Sequence, residues 1–501
     1  MADSRSPGEP DDIGRVPQRA SGSPSRWRLT SRLRRVGRHA WVRRWLPAAL
    51  LTCVVALYNH FPLTYPDAGN YILNAYDLAH GQRPWFFFRP LTYGLLLVPF
   101  ATPYTLWLLP LAQGFLVAVV VDLALRGAAV SLSCHGFLLL FAGLSAFTSL
   151  PWFSGQVMPD ILTSVVILLS YVTLWGEPKV SGPEQWVAGG LLSFAVASHL
   201  SHFPLFGMLL IAGLAGRAII DPAGCWRRFV PLALRASAPL AVAVAMVVGP
   251  NYFLHGELVL SRSSSLFALA HLVGDSLAQR YLDRACAIRR YMLCGERSNL
   301  HGDVDRFLWD PAGGRLQHEP ALRRGDSTFL REAPDIVLGT LRQEWPAVIQ
   351  SSLRNGVVQL GAIGADPGDH GFSASVERAM ERLGPAMVRA YAASGQVRGA
   401  LPLQAASFVQ YTGVAVGLLV LLVCLPGVRG RAHRPVQALI STVGLGLVIN
   451  ALVVASLAMV HPRYQSRVVW LVPLAAVAAA VQLRSARNLA GRGGGRTGAT
   501  A

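Results

Sequence analysis

The sequence predicts an all-α polytopic membrane protein of about ten transmembrane helices, with a mostly helical extracytoplasmic domain between helices seven and eight. Three observations predict it. Of 501 residues, 52% are hydrophobic and 14% are charged, against about 25% charged in a soluble domain. The apolar residues fall into long runs. The arginines gather at the ends of alternate runs.

The N-terminal residues 1–40 are rich in Ser, Pro, Gly, Asp and Arg and read as a disordered basic tail. No small-residue cleavage site follows the first apolar run, which is therefore expected to be a retained helix. The runs are 45–58, 104–125, 132–152, 161–175, 186–197, 203–220, 236–254, 408–426, 436–460 and 468–483. They organise the chain into an N-terminal membrane module (41–254) with an outer loop at 59–103, an extracytoplasmic domain (255–403), C-terminal membrane helices (404–483) and a second tail (484–501).

The net charge is +18. Its carriers are Arg32, Arg34, Arg35, Arg38, Arg43 and Arg44, then Arg217, Arg227, Arg228 and Arg235, then Arg429, Arg431 and Arg434, and last Arg484, Arg487, Arg492 and Arg496. With about ten spans all four groups fall on one side, which by the positive-inside rule places both termini in the cytoplasm. Nucleic-acid binding is the competing explanation of a basic chain. These arginines flank helices and are not interleaved with aromatics, so it is set aside. High Ala, Gly and Arg usage suggests a bacterial cytoplasmic (inner) membrane.

Of the 6 cysteines, Cys53, Cys134 and Cys424 lie in apolar runs and read as small core residues. Cys225 falls in a cytoplasmic loop. Cys286 and Cys294 share the outer segment, either as a short-loop disulfide or as two unpaired thiols two turns apart on one helix, just too far to bond.

The first outer loop contains Tyr65-Pro66-Asp67-Ala68-Gly69-Asn70-Tyr71. It continues through a helical stretch and the interfacial aromatics 85–88 to Arg89. Asp67 lies just past the first membrane run and is the candidate general base, since a carboxylate there can take a proton from an attacking hydroxyl. A helix-start role is the structural alternative. Arg463, in the last outer turn His461-Pro462-Arg463-Tyr464-Gln465-Ser466-Arg467, is the candidate for holding a phosphate, with Tyr464 assisting. A lipid-headgroup anchor is the alternative, above all for Arg467. Asp160 either caps a helix or pairs with an arginine such as Arg89. His199 and His202 are spaced for a shared metal on one helical turn. No third ligand stands nearby, so turn residues bonding backbone or substrate are expected. No cofactor is expected, and nothing specific supports a divalent metal. All these groups fall at the same ends of the runs, where ionisable side chains are costly and usually functional.

There is no phosphate loop, nucleophile elbow or zinc-protease signature. A soluble nucleotide-sugar site is therefore not expected. The absence of an internal repeat weighs against a transporter.

This layout resembles the GT-C glycosyltransferases, similar to the polytopic mannosyl- and aminoarabinosyl-transferases that use polyprenyl-phosphate sugars. Asp67 with Tyr71 matches their first-loop acid. Arg89-Pro90-Leu91-Thr92-Tyr93 resembles the basic-Pro stretch that closes the loop. Met158-Pro159-Asp160 resembles the acidic end of the third helix. His461-Pro462-Arg463-Tyr464, followed by Trp470-Leu471-Val472-Pro473, resembles the Arg-Tyr before a final helix. Two departures stand out: Ala68 follows Asp67 where the family often has paired acids, and 255–403 matches no familiar domain. The resemblance implies transfer of a sugar from a polyprenyl-phosphate carrier to a glycan, lipid or protein acceptor on the extracytoplasmic face, with Asp67 as base and Arg463 and Arg89 on the leaving phosphate. A transporter or flippase of lipid-linked glycans, or a membrane scaffold, are the alternatives.

Overall fold

The computed structural model describes residues 41–82, 89–102, 105–220, 226–297, 300, 302–310, 328–365 and 373–494. The expected tail 1–40, the aromatics 85–88, Cys225 and the residues beyond 494 lie outside them. The chain divides into two units, Met1–Arg43 and Arg44–Ala501. Of the first, only the opening residues of a π-helical turn, Trp41–Trp45, are described, and all that follows concerns the second.

The second unit is all-helical. Its elements begin with α1 (Leu46–Thr52), α2 (Val54–Tyr58), α3 (Pro66–Ala79), α4 (Leu91–Leu97), α5 (Leu108–Gly127), α6 (Cys134–Phe147), α7 (Leu150–Ser154), α8 (Ile161–Trp175) and α9 (Gly182–Ala197). Then come α10 (His202–Ile220), α11 (Trp226–His255), α12 (Ser264–Gly274), α13 (Leu277–Ala285), α14 (Val304–Trp309) and α15 (Thr328–Gly361). The last are α16 (Ala374–Leu383), α17 (Pro385–Ala392), α18 (Leu403–Cys424), α19 (Arg434–Leu457), α20 (Pro462–Val469) and α21 (Leu471–Gly494).

Six helical segments are long and apolar enough to cross a membrane: Leu108–Gly127, His202–Ile220, Trp226–His255, Leu403–Cys424, Arg431–Leu457 and Pro462–Asn488. Their outward faces carry bare apolar side chains, Leu419, Leu422 and Val423 of α18 among them. Faces of that kind need lipid to cover them, and helices satisfy their own backbone there. The chain is a helical multi-pass membrane protein. The other four apolar runs are helical but shorter. The run 45–58 breaks between α1 and α2 at Cys53, and 132–152 breaks between α6 and α7. The helix α8 has 15 residues and α9 has 16, about 22–24 Å at 1.5 Å per residue, less than a hydrocarbon core of about 30 Å.

The short α8 is the centre of the bundle. Ile161 through Leu174 are all buried, and α5, α9, α10 and α19 pack around it. A helix enclosed on all sides can be apolar on all sides, which is why this run lacks a polar stripe. A capping box, Ser181 with Glu184, starts α9, and Glu184 also accepts from Arg126 at 2.8 Å.

Residues 255–403 contribute to three clusters of buried side chains, one of them through Ile363 alone, which packs with Val414, Val469 and Val472. Leu266, Leu269, Tyr281, Leu282, Phe329 and Ile336 of α12, α13 and α15 form a core of their own. Val376, Ala379, Met380 and Tyr391 of α16 and α17 join the main core, where α16 lies on α3. Cys286 and Cys294 are disulfide-bonded, with Cα atoms 5.7 Å apart. Cys53 and Cys424 are buried core residues.

Candidate functional site: a buried layer of carboxylates and guanidiniums

The site is built from the start of α3, the start of α8, the turn before α4 and the turn of α20. Loop 59–65 sets the entry to α3. Leu63 forms a parallel bridge with Gln156. Gln396 holds Thr64, accepting from its N–H at 3.0 Å and donating to its carbonyl at 2.6 Å. Pro66 then opens α3, with Asp67 in its first turn, where the helix dipole favours a carboxylate. Asp67 is one residue inside the helix, whose N-cap is Tyr65. It accepts from Arg89 Nη2 at 2.5 Å, and both side chains keep about a fifth of their surface, 19% and 20% exposed. Phe267 of α12 lies against the Arg89 guanidinium, 5.9 Å from ring centre to Cζ.

Beneath this pair is a sealed triad. Asp160 occupies the N-cap position of α8 without capping it. Its Oδ2 accepts from Arg463 Nη2 at 2.6 Å and its Oδ1 from Arg463 Nε at 3.2 Å, and Oδ1 also accepts from Arg467 Nη1 at 3.2 Å. These three side chains are 0%, 4% and 1% exposed. Burial alone would raise the Asp160 carboxyl; the two guanidiniums overcome it and hold the group well below the usual carboxylate range. Asn450 of α19 completes the frame, accepting from Arg467 at 3.0 Å and donating to the Tyr464 carbonyl at 2.7 Å.

Aromatic rings join the two levels. The Arg463 guanidinium sits 3.6 Å from the centre of the Tyr65 ring, a close cation–π contact, and Tyr65 adjoins Pro66-Asp67. Tyr464 lies within 5.9 Å of Arg463 and 5.3 Å of Arg467. The buried Tyr71 hydroxyl stands within electrostatic reach of Asp67, Arg89, Asp160 and Arg463. Tyr71 Oη, Arg89 Nε and Arg467 Nε are buried donors with no hydrogen-bond partner among the described residues. Across the layer three guanidiniums meet two carboxylates, an excess of one positive charge.

The histidines border the layer. His202 Nε2 bonds Thr163 Oγ1 at 2.9 Å, and its Nδ1 bonds the Ala195 carbonyl at 2.7 Å. His199 Nδ1 bonds Ser201 Oγ at 2.8 Å. The rings are 5.2 Å apart. His199 lies in the turn before α10 and His202 is the first residue of that helix; no three His, Cys, Asp or Glu side chains cluster as a metal site among the described residues. His461 caps α20, its Nδ1 accepting from the Arg463 N–H at 3.2 Å.

Asp67, Arg89, Asp160, His199, His202, His461, Arg463 and Tyr464 thus gather at one end of the bundle. Three details differ from expectation. Arg463 spends its fork on Asp160, so Arg89 is the more accessible cation. Asp160 pairs with Arg463 and Arg467, not with Arg89. Arg467 is no headgroup anchor, because it is buried and bonded to Asp160 and Asn450 inside the protein. Asn450 belongs to the frame without a motif to mark it; its signal in the sequence is an amide deep in the apolar run 436–460. Nor does a motif mark Asp122 of α5, which pairs with Arg44 at 2.9 Å and Arg126 at 3.3 Å. No family model, curated protein or solved structure matches this chain.

Proposed function

We propose that the protein is an integral membrane glycosyltransferase of the GT-C kind, moving a sugar from a polyprenyl-phosphate carrier to an acceptor on the extracytoplasmic face. The observation that carries this reading is the excess buried positive charge beside a carboxylate that keeps access to the surroundings. A buried cation in excess calls for an anion, and a phosphate on a lipid supplies one. Arg89 is the group able to exchange Asp67 for that phosphate. Asp67, so released, accepts the proton of the acceptor hydroxyl as its oxygen bonds to the sugar carbon. The carbon–oxygen bond to phosphate breaks, and its electrons stay on the phosphate against Arg89. Asp160 holds Arg463 and Arg467 in place so that their charge is fixed before the lipid arrives. In the same reading the chain crosses about ten times, the four short helices being completed by flanking segments buried in protein. Both termini lie in the cytoplasm of a bacterial inner membrane, and α12–α15 cover the site.

The test is transfer of label from radioactive polyprenyl-phosphate sugars in membranes containing the protein. Asp67→Asn is expected to lower transfer by about 10²–10⁴-fold, the usual contribution of a general base. Equal transfer by the Asn variant sinks the proposal. One observation favours a flippase of lipid-linked glycans: the buried Asp122, paired with the partly exposed Arg44 and Arg126, gives the bundle a second charged cluster. A protein that moved labelled lipid between leaflets of vesicles without any transfer would decide for that rival.

A further inference from the structure

We infer that the second half of α15 is immersed in the membrane, with the stripe Trp345, Ile349, Leu353 and Val357 lying against lipid acyl chains. The helix changes character at a kink. Glu344 leaves helical geometry (φ −115°, ψ 18°) and Pro346 follows. From Thr328 to Glu344 the sequence holds Arg331, Glu332, Asp335, Arg342 and Glu344; from Trp345 to Gly361 it holds Arg354 alone. The stripe recurs every four residues on one face, and its members are 51–70% exposed.

What makes lipid the occupant is where the helix goes. Another face of its second half meets the C-cap of α12, where Ser351 and Asn355 donate to Asp275, and the helix as a whole packs on α19, one of the helices able to cross the membrane. Gly356 lies so close to Leu452 that a Cβ would stand 2.7 Å from its side chain. The Gln359 side chain donates to the His461 carbonyl at 2.9 Å. The Gly361 carbonyl accepts from Tyr411 Oη at 3.3 Å, and the Ala365 N–H donates to Ser407 Oγ at 3.0 Å. Tyr411 lies eight residues inside α18, about 12 Å along its axis. Contacts on both α18 and α19 therefore fix the end of α15 beside apolar spans, below their ends. Phe408 and Tyr411 are themselves exposed, so the stripe continues a surface that lipid already covers. Arg354 is exposed and long enough to reach headgroups. The inference needs only a membrane protein and is independent of the proposed chemistry.

Site-directed spin labelling of the whole protein in phospholipid vesicles tests it. Cys53, Cys134, Cys225 and Cys424 are replaced by alanine and the Cys286–Cys294 disulfide is kept. Single cysteines are introduced by Ile349→Cys, Leu353→Cys and Val357→Cys, with Arg342→Cys reporting on the polar half. The three stripe labels are expected to collide more often with oxygen than with a water-soluble nickel chelate, and the label at 342 to show the reverse. Nickel collisions dominating at 349, 353 and 357 would put the stripe in water. Low collision rates with both reagents would mean that protein covers it, a second copy if spin–spin broadening accompanies them. Either result overturns the inference.

Discussion

Asp160 shows how a single residue sets the geometry of this site. A fully buried carboxylate is tolerable only when paired and hydrogen-bonded, and here two guanidiniums meet it. Removing one partner of such a set costs about 3–5 kcal/mol. Asp160→Asn is therefore expected to lower the unfolding midpoint in detergent strongly, because Arg463 and Arg467 are left facing each other. The pH dependence carries a definite sign. The folded-state carboxyl titrates below its unfolded counterpart, so its contribution is intact at neutral pH. It is lost only as pH falls from the ordinary carboxylate value near 3.9 toward the lower folded value. Acid unfolding curves check this: the wild type is expected to lose stability in that window, and Asp160→Asn to start lower and lose less there. Equal midpoints at neutral pH would remove Asp160 from its anchoring role.

At the level of elements, α3 carries Asp67 and α16 fixes α3. Their contact is backbone to side chain: Ser375 Oγ donates to the Pro66 carbonyl at 2.5 Å. Gly69 permits the approach. A Cβ at that position would stand 2.2 Å from the Ser375 carbonyl oxygen, with backbone on both sides and no flexible group to yield. Gly69→Ala is expected to destabilise by about 1–3 kcal/mol, as overpacking does, and to shift α3 with Asp67 away from Arg89. Gly143→Ala in α6, with open space around the new carbon, is the control and is expected to be neutral or slightly stabilising. Thermal unfolding of the two variants side by side measures the difference; equal midpoints would mean that the α3–α16 contact is looser than described.

Across the whole molecule, charge is sorted by position. The Asp67 and Asp160 layer lies among the starts of α3, α8 and α20, while Asp122, Arg44, Arg126 and Glu184 meet where α1 and α9 begin and α5 ends. Under the proposed sidedness the first group faces out and the basic turn at Arg431–His433 faces in. In a background without free thiols, His60→Cys is expected to react with an impermeant maleimide added to intact cells. Arg431→Cys is expected to react only after permeabilisation. The opposite pattern would invert the topology and, with it, the assignment of the site to the extracytoplasmic face.

Helical class and membrane residence were legible in the sequence because both follow from local composition: long apolar runs must bury or face lipid, and in either case the backbone coils to satisfy itself. The candidate residues were legible for a related reason, since a charge beside an apolar run is expensive wherever the run goes. Pairing was not legible. Asp160 and Arg463 are separated by 303 positions, and nothing local to either says that Arg463 turns to Asp160 while Arg89 takes Asp67. That choice depends on which helix ends meet and on how much water reaches each pair. Helix packing decides both, and so decides which cation stays accessible and which is sealed.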